Sequence, residues 1–248
     1  MTFYASAWQI ALAALLPVFF YVLLFLAEAK GPLAKPIQEC KGIVAPYFTA
    51  ISILFGLFAA LLAGDVWQKT NGAKWAVQAE GHAVHALAHL ARAHGMGDVV
   101  LPQLRAYVEA ASREQPHSGN LTQQHAATEK AYVDLLKTLS QLPADNVARN
   151  SLLTAAHELL SAHDNRLYYA SDMTPPLKWL SIVIFGLLTQ IALLLVHPGN
   201  RRASRVAVAL FTVAFSFCLL VVAFFDAPFE VVLRDEPEKT MRAALERL

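Results

Sequence analysis

The sequence predicts an all-α integral membrane protein with four transmembrane helices and a helical extramembrane module between the second and the third. Three observations predict this class. The 248-residue chain is 56% hydrophobic and only 16% charged, whereas soluble domains carry about 25% charged residues. Four apolar segments each reach about 20 residues, the length that crosses a bilayer as a helix. The polar stretch in the middle of the chain has helical apolar spacing and no alternation typical of strands.

The four apolar segments are arranged in two pairs. They cover residues 8–27, 44–66, 177–196 and 206–225. Backbone groups cannot stay unpaired in lipid, so each segment is expected to be a helix. Pro17 lies inside the first span and is expected to kink this helix without ending it. The predicted parts of the chain are a first helix pair (1–66), an extramembrane module (67–174), a second helix pair (175–227) and a polar C-terminal tail (228–248).

Four amphipathic runs make up the predicted module. They cover residues 73–95, 100–115, 122–142 and 146–173. Gly95 is expected to close the first run as a helix C-cap, because glycine readily adopts the left-handed conformation found there. The turn-rich segment 116–120 and Pro143 separate the later runs.

One side of the second span carries small side chains. On a helical wheel, six positions share a sector about 100° wide: Thr49, Ser52, Gly56, Ala59, Ala60 and Ala63. Small residues let membrane helices approach each other, and Ser52, Gly56 and Ala60 have the small-xxx-small spacing of a packing face. The same face also fits a pore wall formed by identical helices around an axis. The wheel favours packing and leaves the pore open.

Three histidines follow in the first run of the module. His82, His85 and His89 lie within about 60° of one another on a helix, and three imidazoles on one stripe can bind zinc or copper. Glu80 is predicted to point to the opposite side, so the expected fourth ligand is absent. A polar stripe without metal is the favoured interpretation, and the sequence assigns no cofactor and no metal site.

Other function classes have little support. The chain has no glycine-rich phosphate loop, no nucleophile elbow and no carboxylate pair within a span, so we expect no enzyme activity. The net charge is +1 and no long basic run is present, which argues against nucleic-acid binding. Cys40 and Cys218 are too isolated to predict a disulfide or a metal site.

Charged residues near the span ends bear on membrane orientation. The short loops carry six basic residues at high density: Lys30, Lys35, Lys41, Arg201, Arg202 and Arg205. By the positive-inside rule, this density favours short loops on the cytoplasmic side and a module on the external side. The module side carries the same total number of basic residues near the membrane, so this preference is small.

Two stretches resemble the bestrophins, which are pentameric anion channels. The stretch ISILFGLFAALLAGDVW (51–67) resembles, without a gap, their second membrane helix. The stretch FFDAPFEVVLRDEPE (224–238) resembles the Asp/Asn-x-Pro-Phe exit from their last membrane helix. The order of spans and module matches as well. The likeness points to the bacterial bestrophin-like domain family.

Three further features of that family are present. They are a Pro-aromatic entry to the second helix (APYF, 45–48), a glutamate in the following helix (Glu80), and an R-L…P-x-x-W lead into the third span (Arg166, Leu167, Pro176, Trp179). Each motif is short, but together they extend over most of the chain.

The resemblance implies a multi-pass protein of the bacterial inner membrane that forms a homopentamer in the lipid bilayer and passively conducts small anions. It places the module in the cytoplasm, opposite to the side that the basic residues of the short loops favour. In the ungapped match the hydrophobic neck of the pore falls on Thr49, Ile53 and Leu57. The implied pore-lining set is Thr49, Ser52, Ile53, Gly56, Leu57 and Ala60.

The sequence also departs from the bestrophin pattern. Thr49 is polar where a neck residue is apolar, and Ala50 replaces a proline that usually interrupts the helix. Asp65 replaces a basic residue and would repel anions at a pore mouth. The acidic residues Asp235, Glu236 and Glu238 come later than the calcium-binding cluster of animal bestrophins, so calcium is not expected. These departures leave an alternative, a non-conducting membrane scaffold or accessory subunit of a larger complex.

Overall fold

A computed structural model describes the chain over residues 3–30, 45–114, 121–143, 147–171, 174–196, 200–226, 228–229 and 231–248. Within these ranges it contains eight α-helices and no strand, which confirms the all-α class. The helices are α1 (Phe3–Lys30), α2 (Ala45–Ala93), α3 (Gly97–Arg113), α4 (Leu121–Ser140), α5 (Val147–Ser171), α6 (Pro176–Val196), α7 (Arg201–Asp226) and α8 (Glu236–Glu246). The predicted turn at 116–120, Cys40, Lys35 and Lys41 lie outside the described residues.

Contacts divide the chain into two compact units. The membrane unit comprises Tyr4–Gln68 and Met173–Asp226, and the module comprises Lys69–Asp172 and Ala227–Leu248. Each of α1, α2, α6 and α7 contains a stretch long and apolar enough to cross a membrane. The C-terminal residues, predicted as a separate tail, group with the module, where Phe229 and Leu233 pack in one apolar cluster with residues of α2.

The second span and the first run of the module, predicted as separate segments, form the single helix α2. The Asn71–Gly72 pair, which favours turns in isolation, lies inside it. A Cβ at Gly72 would come within 2.6 Å of Tyr169 Cζ, so this glycine allows α5 to pack closely rather than making a turn. The packing against Tyr169 therefore outweighs the local preference of Asn71–Gly72 for a turn.

The C-terminus of α2 confirms the prediction for Gly95. Its φ is +68°. Its N–H donates to the carbonyl of Arg92 at 3.0 Å, and the N–H of Met96 donates to the carbonyl of Ala91 at 2.7 Å. These two bonds are those of a Schellman motif, which satisfies carbonyls left over at a helix end.

The core of the module is formed by α2, α3, α4, α5 and α8. The largest fully buried apolar side chains in it are Leu87, Leu104, Leu135, Leu139, Leu152, Leu159 and Met241. Helix α8 comes close to α2 at Gly81, where a Cβ would lie 2.7 Å from Thr240 Cγ2. Glu236 and Glu238 stand in the first turn of α8, where carboxylates interact favourably with the helix dipole. That position accounts for these acidic residues without a bound ion.

The core of the membrane unit joins α2, α6 and α7 through Leu62, Val66, Ile182, Phe215 and Leu219. A polar contact lies among the apolar ones. Gln190 Nε2 donates to the carbonyl of Pro17 at 3.2 Å and to Thr212 Oγ1 at 2.7 Å. Hydrogen bonds of this kind hold membrane helices together because lipid offers polar groups no other partner. As predicted, α1 continues through Pro17.

Gly186 gives a direct test of the packing between α6 and α7. A Cβ at this position would overlap the ring of Phe215. We expect Gly186→Ala to lower the unfolding temperature of the purified protein by several degrees, because overpacking a core costs about 1–3 kcal/mol. Gly64→Ala is the matched control, since a Cβ there meets no atom within 4 Å. Equal losses for the two variants, measured by thermal unfolding in detergent, would contradict the packing described.

Candidate functional site

The part of α2 in the membrane unit has two different faces. One face packs into the core of the membrane unit through residues spaced for one side of a helix: Phe55, Ala59, Leu62 and Val66. The six predicted pore-lining residues lie elsewhere on the helix. Ile53 and Leu57 are 63% and 53% exposed, Thr49, Gly56 and Ala60 are also exposed, and Ser52 is half-buried.

The small-residue sector is therefore divided between two environments. Ala59, at one edge, packs against helices of its own chain. Gly56, at the other side, has no atom within 4 Å of where a Cβ would be. Within one chain, close packing explains only the Ala59 edge, and the edge with Ile53 and Leu57 is open to lipid or to a further copy.

Asp65, near the end of this face, has an ionic partner. Lys178 Nζ lies 2.6 Å from Asp65 Oδ2, and the two side chains are 48% and 45% exposed. A pair this exposed adds little stability. It does offset the negative charge that the sequence analysis interpreted as repelling anions.

Asp226 joins two of the family motifs. Its buried carboxylate accepts a hydrogen bond from the backbone N–H of Thr174 at 3.1 Å and one from Trp179 Nε1 at 3.2 Å. The last residue of α7 is thereby bonded to the chain at the start of α6. Helix starts leave backbone N–H groups without intrahelical partners, and a carboxylate is a strong acceptor for them. The Asp-x-Pro-Phe and P-x-x-W motifs meet in this contact.

The module contains a buried charge cluster, formed by Glu80, Tyr107, Glu114, His163 and Arg166. Arg166 Nε lies 2.6 Å from Glu80 Oε2, and Arg166 Nη2 lies 3.0 Å from Glu114 Oε2. Tyr107 donates its hydroxyl hydrogen to Glu80 Oε1 at 2.8 Å. His163 Nδ1 lies 2.9 Å from the same oxygen. Glu80, Glu114 and Arg166 are at most 1% exposed.

The electrostatics of the charge cluster keep Glu80 ionised. Burial alone would raise its pKa, but the Arg166 guanidinium, followed by His163 and Tyr107, lowers the pKa of Glu80 to about 2. Burial works to lower the pKa of Arg166, and the carboxylates of Glu80 and Glu114 outweigh it and raise that pKa. Burial and the neighbouring Glu80 carboxylate raise the pKa of Tyr107, which keeps its hydroxyl a donor. The cluster thus holds fixed charges whose partners must all stay in place.

The histidine stripe is oriented as predicted relative to Glu80. His82 and His89 are exposed and His85 is half-buried, while Glu80 is buried. Burial, with the positive charge of Arg247, lowers the pKa of His85. Among the described residues, the group with ligand atoms close enough to share an ion is Glu114, His125 and His163, and the stripe is not part of it.

Comparison with known families decides the identity. The model of the bestrophin-like domain matches residues 13–237. The chain belongs to the bestrophin-like family. It is therefore a membrane protein, and the predictions of this family and of no enzyme activity are confirmed. No curated protein matches the sequence.

Solved structures of a bestrophin homologue share the fold. Three crystal structures of the bacterial homologue from Klebsiella pneumoniae, each with one mutation, match nearly end to end. The first has 13% identity, a TM-score of 0.65, and 98% of each chain covered. The second has 12% identity, a TM-score of 0.63, and 97% of each chain covered. The third has 15% identity and a TM-score of 0.61, with 100% of this chain and 96% of the other covered. Identities this low show the fold alone.

Sequence reasoning missed the partners within the bestrophin-like fold. Glu80 and Arg166 were identified through the resemblance, but their ion pair was not predicted. His163 and Glu80, which also bond, are 83 positions apart, and no local pattern in one sequence connects such positions. Gln190 could have been identified from the sequence, because a polar side chain within a membrane span needs a hydrogen-bond partner.

Proposed function

We propose that the protein is a homo-oligomeric, pentameric channel that passively conducts small anions, with the five α2 helices around a central path. The observation that carries the proposal is the apolar pair Ile53 and Leu57. These residues lie one turn apart, are exposed in the single chain, and stand on the side of α2 away from its core. Membership of the bestrophin-like family supports the same function.

In this proposal Ile53 and Leu57 form the constriction. A ring of apolar side chains gates ions by excluding water from a narrow passage. Ser52, Gly56 and Ala60 are small enough for neighbouring α2 helices to approach closely. Thr49 adds a polar position at the end of the neck. The ion pair of Asp65 and Lys178 removes a net negative charge that would oppose anions.

The location follows from the same proposal. The protein lies in the bacterial inner membrane, with the lipid bilayer and further copies of itself as partners. The module is on the cytoplasmic side. The helix pairs 1–66 and 175–227 lie in the membrane, and the C-terminal residues belong to the module.

Chloride flux tests the proposal. Purified protein in liposomes loaded with potassium chloride is expected to release chloride when valinomycin lets potassium leave. In planar bilayers, the reversal potential under a salt gradient is expected to lie toward the chloride equilibrium potential. A protein that gives no current, or a reversal potential at the cation value, would overturn anion conduction.

The alternative is a non-conducting scaffold or accessory subunit. One observation favours it. Helix α2 runs from Ala45 to Ala93 without the proline that usually interrupts this helix in bestrophins. Class averages of detergent-solubilised particles distinguish the two functions. A five-fold ring supports the channel, whereas a dimer or a complex with another protein supports the scaffold.

A further inference from the structure

Three side chains that can bind metal converge in the module. Glu114 follows the C-terminus of α3, His125 is on α4 and His163 is on α5. His125 Nδ1 lies 3.1 Å from Glu114 Oε1, and His163 Nε2 lies 3.5 Å from Glu114 Oε2. One ligand atom from each residue lies within 4.8 Å of the others. Ligands of a tetrahedral zinc ion are about 3.3 Å apart, so small side-chain movements suffice.

The charges around this group do not balance. Glu80 and Glu114 are both buried, and Arg166 is the buried guanidinium between them. Two carboxylates therefore face one fixed positive charge. An uncompensated buried charge is strongly destabilising, so a cationic group or a bound cation beside Glu114 would stabilise the module.

The hydrogen bonds of His163 show where that cation belongs. Nδ1 lies 2.9 Å from the Glu80 carboxylate and 3.3 Å from Arg166 Nη2, and the shorter contact, to an acceptor, places a hydrogen on it. In the neutral ring Nε2 then has a lone pair, and this lone pair faces the Glu114 carboxylate. The His163 side chain is only 4% exposed. Across the described part of the chain, Nε2 finds no hydrogen-bond partner. A ring nitrogen and a carboxylate in this position are held together by a proton or by a metal ion between them.

We propose that Glu114, His125 and His163 form a binding site for a divalent transition metal, with zinc as the best-fitting ion. Two imidazoles and one carboxylate are a ligand set that zinc takes, whereas calcium and magnesium prefer oxygen ligands alone. Glu80 positions the site, because a metal-binding histidine usually donates its other N–H to a carboxylate. The site is separate from the histidine stripe and from the proposed pore.

A cavity gives access to this site. Its volume is about 240 Å³, and both His125 and His163 line it. Glu129 and Asp164 line the same cavity, and their charges favour the entry of a cation. Glu114 and Arg166 are not part of its lining, so the two histidines are the ligands that the cavity reaches. We expect water from this cavity to fill the remaining coordination position. A bound ion would connect α3, α4 and α5 of the module.

Metal analysis of the purified protein tests the site. The full-length protein, purified in detergent with a tag other than polyhistidine and stripped with a chelator, is titrated with zinc chloride. We expect one zinc per protomer, a rise in unfolding temperature, and release of protons as the imidazoles bind. Replacing zinc by cobalt(II) is expected to give the visible absorption of a low-symmetry, four-coordinate ion.

His125→Asn is the main variant, because this side chain is 44% exposed and its replacement leaves the apolar core intact. We expect its zinc affinity to fall by at least about 100-fold, the upper end of what loss of an outer partner causes. His157→Asn, at an exposed position on α5, is the matched control and should bind zinc like the wild type. The variant with asparagine at positions 82, 85 and 89 should also keep the site.

Two results would overturn the proposal. In the first, the wild type binds no stoichiometric zinc, and Nε2 of His163 is then occupied by a proton instead. In the second, the His125 variant binds zinc as tightly as the wild type, whatever the variant of the histidine stripe does. The wild-type titration does not depend on conduction, so failure of the channel proposal leaves this test unaffected.

Discussion

Arg166→Met is expected to lower the unfolding temperature of the protein by about 10 °C. The substitution keeps a long side chain but leaves the buried carboxylates of Glu80 and Glu114 without their guanidinium. Removing one partner of a buried ion pair costs about 3–5 kcal/mol, and 1 kcal/mol corresponds to about 2–4 °C in a chain of this size. Thermal unfolding in detergent, followed by intrinsic fluorescence, measures the loss.

The pH dependence separates charge from packing. The pKa of Glu80 is lowered from 4.5 to about 2. A carboxyl group whose pKa is lowered by folding stabilises the protein above its ordinary pKa, and this contribution is lost as the pH falls toward the lowered value. Without Arg166, burial raises the pKa of Glu80 in the variant, so the difference between wild type and Arg166→Met should be largest near neutral pH and shrink toward pH 2. A difference of constant size across this range would mean that lost packing, not charge, is the cause.

Two further variants serve as controls. Arg105→Met changes an exposed arginine of α3 in the same module, and little change is expected. Combining Arg166→Met with Glu80→Gln should be less damaging than the sum of the two single changes, because the pair is then removed together. If the double variant loses the full sum, Glu80 and Arg166 do not act as a pair.

Ile53→Ala combined with Leu57→Ala is expected to raise chloride flux about tenfold or more if these residues form the neck. Shortening both side chains widens the ring and lets water enter, which lowers the barrier to an ion. A barrier lower by about 1.4 kcal/mol corresponds to tenfold in rate. Flux into liposomes at equal protein content measures the effect, with particle symmetry checked for each variant.

A matched pair on another span serves as the control. Ile184 and Leu188 of α6 are also an isoleucine and a leucine four positions apart, and they are 45% and 42% exposed. Replacing both by alanine removes the same side-chain atoms as in the neck variant and leaves the sequence of α2 unchanged. Their variant should conduct like the wild type. If both double variants change the flux equally, or neither does, Ile53 and Leu57 do not form the constriction.

Local patterns in the sequence predict much of this fold. Apolar length predicts the four spans, and helical periodicity predicts the runs of the module, because both depend on neighbours within a few turns. Gly95 is predictable as a cap for the same reason. The continuity of α2 is not predictable in this way, since Gly72 is suited to its helix by contact with Tyr169 of a distant helix.

The functional positions are predictable to different degrees. The resemblance identifies Glu80, Arg166, Trp179 and Asp226 one at a time, but their pairing is a matter of three-dimensional structure. The face of α2 with Ile53 and Leu57 carries no local signal of what covers it. No pattern within one sequence distinguishes an apolar side chain facing lipid from one facing a shared axis.

The charge cluster also has a consequence for biosynthesis. Glu80 and His163 are 83 positions apart, so the ribosome adds Glu80 well before its partners on α5 exist. Until then the carboxylate must stay hydrated, and the core of the module around it cannot close. Contacts between distant positions form late because the chain between them must first be ordered. Completion of the charge cluster must therefore wait until α5 has been synthesised.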